Sequence, residues 1–110
     1  MSDKYSNHFY IEGPDDDLVN VTKDLDFAEG SINYDGWEIE GGSAVLHFDG
    51  YFCPLDEAAN ASVKYPSLKI IFRFTHELLT AGLYIYDGGK MKLRSYYDWD
   101  TGECSIKKYD

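Results

Sequence analysis

Two of the three histidines, a wealth of carboxylates and two glycine pairs are the residues of this chain singled out by type as able to do chemistry. His47 and His76 could share a metal or act as an acid–base pair. They fall in separate extended segments, and no cysteine or carboxylate at metal-ligand spacing accompanies either. Structural or surface roles are expected for both, with no metal and no cofactor. Asp98-Trp99-Asp100-Thr101-Gly102-Glu103 opens like a calcium loop. Gly102 stands where a third acidic ligand belongs and no glutamate closes the loop, so the pattern fails and a turn is expected. Gly41-Gly42 and Gly88-Gly89 read as hairpin glycines. Neither lies between a strand and a helix, as a phosphate loop must. The chain carries 20 acidic residues, but no spacing sets two of them across a cleft. No catalytic residue is expected, so function is sought in surfaces.

The elements that must carry those surfaces can be read in order. His8-Phe9-Tyr10-Ile11-Glu12 is a short strand. Pro14 and Asp15-Asp16-Asp17 suit the start of a helix, because proline fits a first turn and acids complement the dipole. Leu18, Val21, Leu25 and Ala28 recur at helical spacing, which predicts a helix over 14–29 with Gly30 as its stop. Phe27 points away from that stripe, a sign that the helix ends early. Trp37 and Ile39 alternate with Glu38 and Glu40 as in a half-buried strand. Gly41-Gly42 turns into a strand where Ala44, Leu46 and Phe48 alternate. A helix over 54–64 follows, and Pro66 ends it. Leu68 to His76 is the strongest strand, with Leu68, Ile70, Phe72 and Phe74 on one side. Ala81–Tyr86 and Met91–Tyr97 form a hairpin about Gly88-Gly89, and Cys104–Tyr109 is an edge strand. A two-residue turn would pair Tyr86 with Met91, Tyr84 with Leu93, Ile85 with Lys92 and Leu83 with Arg94.

The expected fold is α+β. It is a ferredoxin-like βαββαβ antiparallel sheet with two helices on one face and a C-terminal β-meander extension, one domain over 1–110. At 110 residues such a chain builds a single core of radius of gyration roughly 13 Å. Cys53 and Cys104 are expected as free thiols of a reducing compartment. The first residues lack the apolar stretch of a signal peptide and no run approaches a membrane span, so the expectation is cytoplasmic.

Formal net charge is −10 and unevenly spread. Residues 1–63 carry 14 of the 20 acids and two bases, a net of −12, while residues 64–110 carry a net of +2. Such a balance disfavours DNA and anionic membranes and favours basic partners. The sharper candidate surface is the acidic half: Glu12, Asp15, Asp16, Asp17, Asp24, Asp26, Glu38 and Glu40, with Glu29 and Asp35 nearby. Its density is comparable to the one charge per about 1.7 Å of duplex DNA. The bland alternative is a solvated face. The second candidate is the sheet face away from the helices, expected to present Lys69, Ile71, Arg73, Leu83, Ile85, Lys92 and Arg94. It offers Ile and Leu where base stacking needs aromatics, so a protein contact or a homodimer is expected there rather than nucleic acid. The 10 tyrosines favour an interface too.

Asn7 with the Ile11-to-Leu18 run, Trp37, Leu46-His47-Phe48, Pro54, Lys64-Tyr65-Pro66-Ser67-Leu68, Ala81-Gly82 and Gly88-Gly89 occur in an order and spacing that resembles the YubB-type ferredoxin-like family of small phage and plasmid proteins. Glu38-Ile39-Glu40-Gly41-Gly42 stands where that family often has Trp-Gly-Thr-Lys-Trp. The resemblance implies a mobile-element origin and the same fold, and it supplies no catalytic residues. The combined expectation is a non-enzymatic acidic binding protein. Its leading form is an inhibitor of a bacterial defence nuclease complex, of the anti-CRISPR type, occupying a nucleic-acid-binding surface. The alternatives are an immunity protein neutralising a cognate toxin and a nucleic-acid binder using the open sheet face.

Overall fold

The computed structural model describes residues 4–77 and 79–109. They form one antiparallel sheet with two helices against one face, an α+β architecture. In chain order the elements are β1 (Tyr5–Glu12), α1 (Asp15–Asp24), β2 (Ser31–Tyr34), β3 (Glu38–Glu40), β4 (Ser43–Gly50), α2 (Leu55–Lys64), β5 (Lys69–His76), β6 (Thr80–Asp87), β7 (Lys90–Asp98) and β8 (Cys104–Lys108). The sheet runs β2-β4-β1-β5-β6-β7-β8, and β3 pairs with β4 beside β2. It is larger than the expected six-element unit with an appended meander. β6, β7 and β8 continue the same sheet outward from β5, and the far edge is split into β2 and β3.

In α1 the three aspartates of the first turn and Lys23 of the last complement the helix dipole. Pro14 lies just outside in extended conformation, and its carbonyl accepts from Leu18 N at 3.0 Å. The helix stops at Asp24, five residues short of the expected Glu29. Phe27 is the cause. A continuing helix would turn its ring to solvent. Instead the chain bends at Leu25, whose carbonyl accepts from Trp37 Nε1 at 2.8 Å. The Phe27 ring then lies 4.9 Å from Phe48 and 5.8 Å from Phe9. Asp26 Oδ1 accepts from Ala28 N at 3.0 Å, a local turn that competes with helix. Ala28, expected on the buried stripe, is exposed. Gly30 is no helix stop but a turn into β2, a strand the sequence did not announce. The expected half-buried strand at Trp37 becomes β3, exposed throughout, with Ile39 at the sheet edge.

Alternation sets the core. Phe9, Ile11, Leu46, Phe48, Ile70, Phe72, Phe74, Tyr84 and Tyr86 point at the helices and are buried. Burying a ring such as Phe72 stabilises by roughly 1.5–3 kcal/mol. From the helices come Leu18, Val21, Ala58 and Ala61, with Leu25 just beyond α1. The small residues of α2 let it lie close over β5, β6 and β7. Extents of 42 × 35 × 21 Å describe a slab of one sheet and one helix layer. Among the described residues no second layer covers the other sheet face.

Gly88 and Gly89 both take positive φ, as a two-residue hairpin turn requires. Tyr86 pairs with Met91 as expected, but a bulge then shifts the register. Leu93 lies opposite Ile85, Arg94 opposite Tyr84 and Ser95 opposite Leu83. The expected pairs Tyr84–Leu93, Ile85–Lys92 and Leu83–Arg94 are therefore wrong by one residue. A slip of one residue exchanges the two faces. Arg94 goes to the helix side, Leu93 goes outward, and Lys92 is the extra residue at the bulge. Among the described residues no helix is long and apolar enough to cross a membrane.

Candidate functional site

The acidic half divides into two groups. Gly13 N donates to the Gly42 carbonyl at 3.1 Å, tying the entry of α1 to the β3–β4 hairpin. Glu12 and Glu40 lie opposite Ser43 from either side, and Glu38 lies opposite Val45. Glu12, Asp15, Asp16, Asp17, Glu38 and Glu40 thus gather at one end of the sheet. Asp17 is partly engaged, accepting from Ser67 Oγ. Lys69 enters the group from β5, opposite Glu12 on one side and Asp87 on the other. Asp24 and Asp26 stand apart and serve the fold. Asp24 accepts from Lys64 Nζ at 2.8 Å and Tyr65 Oη at 2.6 Å. The Lys64 hydrogen bond, then that of Tyr65, holds its carboxyl below the usual range. Asp26 makes the Ala28 turn.

The open sheet face is built from the other alternation, in three rows across the strands. One row runs Val45, Tyr10, Ile71, Ile85 and Leu93. The next runs His47, His8, Arg73, Leu83 and Ser95. The third runs Asp49, Ser6, Thr75, Ala81 and Tyr97. Of the seven residues expected on this face, Lys69, Ile71, Arg73, Leu83 and Ile85 lie here. Lys92 is the extra residue at the bulge, and Arg94 faces the helix side. Among the described residues Arg73 forms no ion pair with a carboxylate, although acids outnumber bases two to one in the chain.

The His47–His76 pairing does not form. His76 lies on the helix side, its ring 4.2 Å from Tyr5. His47 stacks instead on His8, centroids 4.3 Å apart and planes 15° from parallel. Burial, then the charges of His47 and Arg73, push the His8 pKa below its ordinary value, against an opposing pull from Asp49. Asp49 is nearly buried and accepts from Ser6 Oγ at 2.8 Å and Asn33 Nδ2 at 3.0 Å. His47 Nε2 lies 3.5 Å away and Lys4 Nζ 3.9 Å. The Asn33 hydrogen bond leads in lowering the Asp49 pKa, with Ser6, His47 and Lys4 helping against the cost of burial. Ser, His and Asp thus meet, but Ser6 donates to the carboxylate rather than to an imidazole. Among the described residues no imidazole accepts from the hydroxyl, and these contacts brace the β1–β4–β2 corner.

Nothing in the sequence singles out His8, Ser6, Asp49, Ser95 and Tyr97. Alternation assigns each to the outer face. Only the strand register makes them neighbours. Asp98–Glu103 is a turn, as expected: Asp98 Oδ1 accepts from Asp100 N at 2.9 Å, and Gly102 takes positive φ. Cys53 and Cys104 are both free thiols, and burial pushes the Cys53 thiol up to about 12. No protein-family model, curated protein or solved structure significantly matches the chain.

Proposed function

We propose that the protein is a non-enzymatic binding protein whose acidic end docks on a basic macromolecular partner. The partner class that suits it is a nucleic-acid-binding surface. The protein would then act as a phage- or plasmid-encoded inhibitor of a defence nuclease complex, working in the host cytoplasm. One observation carries this reading. Glu12, Asp15, Asp16, Glu38 and Glu40 are all exposed and share one end of the sheet. Carboxylates displayed together attract a partner that evolved to hold phosphates. The strand order β2/β3-β4-β1-β5 under two helices supports a ferredoxin-like description of the core, and the YubB-type resemblance belongs to the same reading.

The test uses Asp15→Asn, Asp16→Asn, Glu38→Gln and Glu40→Gln together. None of these four side chains makes a hydrogen bond or ion pair among the described residues, so folding should be unchanged. Tagged wild type and variant are used to capture partners from host lysate at low salt. The reading requires a partner retained by wild type, lost with the variant, and displaced by DNA or RNA. A captured toxin that nucleic acid does not displace would support the immunity alternative instead. A partner held equally by both proteins would remove the acidic end from the function.

A further inference from the structure

The open sheet face carries a hollow that is independent of the acidic end. It comes from the size pattern of two adjacent rows. Arg73, Leu83 and Ser95 form one, and Thr75, Ala81 and Tyr97 the next. Ala81 is small and stands between taller neighbours, so the face dips there. The dip has a volume of about 310 Å³ and is walled on one side by His8 and Arg73 and on the other by Ser95 and Tyr97. That volume sits at the lower end of small-ligand sites, roughly 300–1,000 Å³. Its floor is apolar, from Ala81 and Leu83.

The chemistry of the walls selects a ligand class. Among the described residues Arg73 is the one full charge lining the hollow, and no carboxylate lines it. A guanidinium presents planar, paired donors that match a carboxylate or phosphate. Thr75, Ser95 and Tyr97 add hydroxyls that can donate to remaining oxygens. Burial keeps the His8 ring neutral more readily than a free imidazole, so it can donate one hydrogen bond without adding a fixed charge. In a chain of net charge −10, an arginine that forms no ion pair among the described residues, beside an apolar dip, is the feature that needs a partner.

We propose that this hollow binds a small organic oxyanion, a carboxylate or phosphate monoester on a compact apolar body such as a single ring, with Arg73 holding the anion and Ala81 and Leu83 receiving the body.

Benzoate and phenyl phosphate serve as probes, with acetate and inorganic phosphate as anions lacking the body. Amide shifts are followed by NMR in wild type, Arg73→Gln and Ala81→Leu. Both substitutions lie on the outer face, away from the core, and melting curves verify that each variant folds. Saturable shifts confined to Leu83, Ser95, Tyr97 and their neighbours are expected with at least one ring-bearing probe. Which probe binds better distinguishes a carboxylate from a phosphate ester. Arg73→Gln should weaken binding roughly tenfold or more, since the charge-assisted pair is lost. Ala81→Leu should abolish it by filling the dip, and the bodiless anions should bind much more weakly. The proposal is overturned by shifts that do not saturate at millimolar probe, by undiminished affinity in both variants, or by sedimentation showing a dimer that occludes these residues.

Discussion

His8 and His47 stand directly opposite each other on adjacent strands, and their rings stack 4.3 Å apart. Arg73 lies on the other side of His8, and Asp49 is the carboxylate within reach of His47. Protonating His8 therefore places a cation between His47 and Arg73, in a half-buried position. Only Asp49 pulls the other way. The centre of the open face is a place where positive charge accumulates badly unless an anion arrives.

The first prediction concerns pH. The His8 pKa is lowered in the fold, so the unfolded chain binds the proton more readily. Stability should be at its full value above the unfolded value of 6.5 and fall as pH drops below it, until the folded group also titrates. Asp49 acts in a lower window. Its pKa is also depressed, so its contribution is present above 3.8 and is lost as pH falls from there. Urea midpoints measured across pH should therefore show two declines. His8→Gln should flatten the upper one, and Asn33→Ala should weaken the lower. An upper decline of unchanged size in His8→Gln would assign it to another group.

Phe27 and Ala28 give opposite outcomes if the chain leaves the helix where the structure has it. Phe27→Ala removes a ring packed on Phe9 and Phe48 and should cost about 3–5 kcal/mol by chemical denaturation. Ala28→Glu touches only solvent and should change stability by about 0.5 kcal/mol or less. A longer helix burying Ala28 would reverse the two results.

The inward and outward faces were legible because strand side chains alternate. Phe9, Leu46 and Phe72 on one side and His8, His47 and Arg73 on the other follow from period two alone. Register was not legible. Nothing local says that His8 meets His47, because that pairing depends on how β1 docks on β4 after α1 and the broken edge have formed. Ser31-Ile32-Asn33-Tyr34 escaped notice because a short, exposed edge strand has no buried pattern to reveal it. The bulge beside Tyr86 escaped for a similar reason. Lys92, Leu93 and Arg94 fit either face about equally in sequence, and only packing decides which is turned out. The acidic end was visible as composition, but its split was not. Asp24 is drawn off by Lys64 and Tyr65, residues supplied by the other helix and the turn after it.

Gly82 is fixed by close packing, not by a special backbone angle. A methyl group there would run into the Phe74 ring and sit 2.9 Å from Tyr84 Cε2. Those two rings stack 6.3 Å apart, 16° from parallel, across β5 and β6. Gly82→Ala must part them and should cost about 1–3 kcal/mol. Near-ultraviolet circular dichroism should change with it, because the tyrosine environment moves. A variant as stable as wild type with an unchanged spectrum would mean that the rings do not pack this way.

The last prediction concerns salt and the division of the acids. If the exposed carboxylates stand in for phosphates, association with the basic partner is steered over distance. The on-rate should fall steeply as ionic strength rises, since at 0.1 M salt the screening length is already about 10 Å. Single exposed charges are worth under about 1 kcal/mol, so Asp16→Asn alone should do little. Asp15→Asn, Asp16→Asn, Glu38→Gln and Glu40→Gln combined should slow association several-fold at low salt, with a much smaller effect at high salt where screening has done the same work. Asp24→Asn and Asp26→Ala should behave differently. They loosen the tie between the two helices and the turn after α1, so they should register in stability rather than in on-rate. Stopped-flow association at several salt concentrations, beside urea denaturation of each variant, separates the two groups. Equal kinetic effects from both sets, or an on-rate flat across salt, would mean that the acidic end is only a solvated surface.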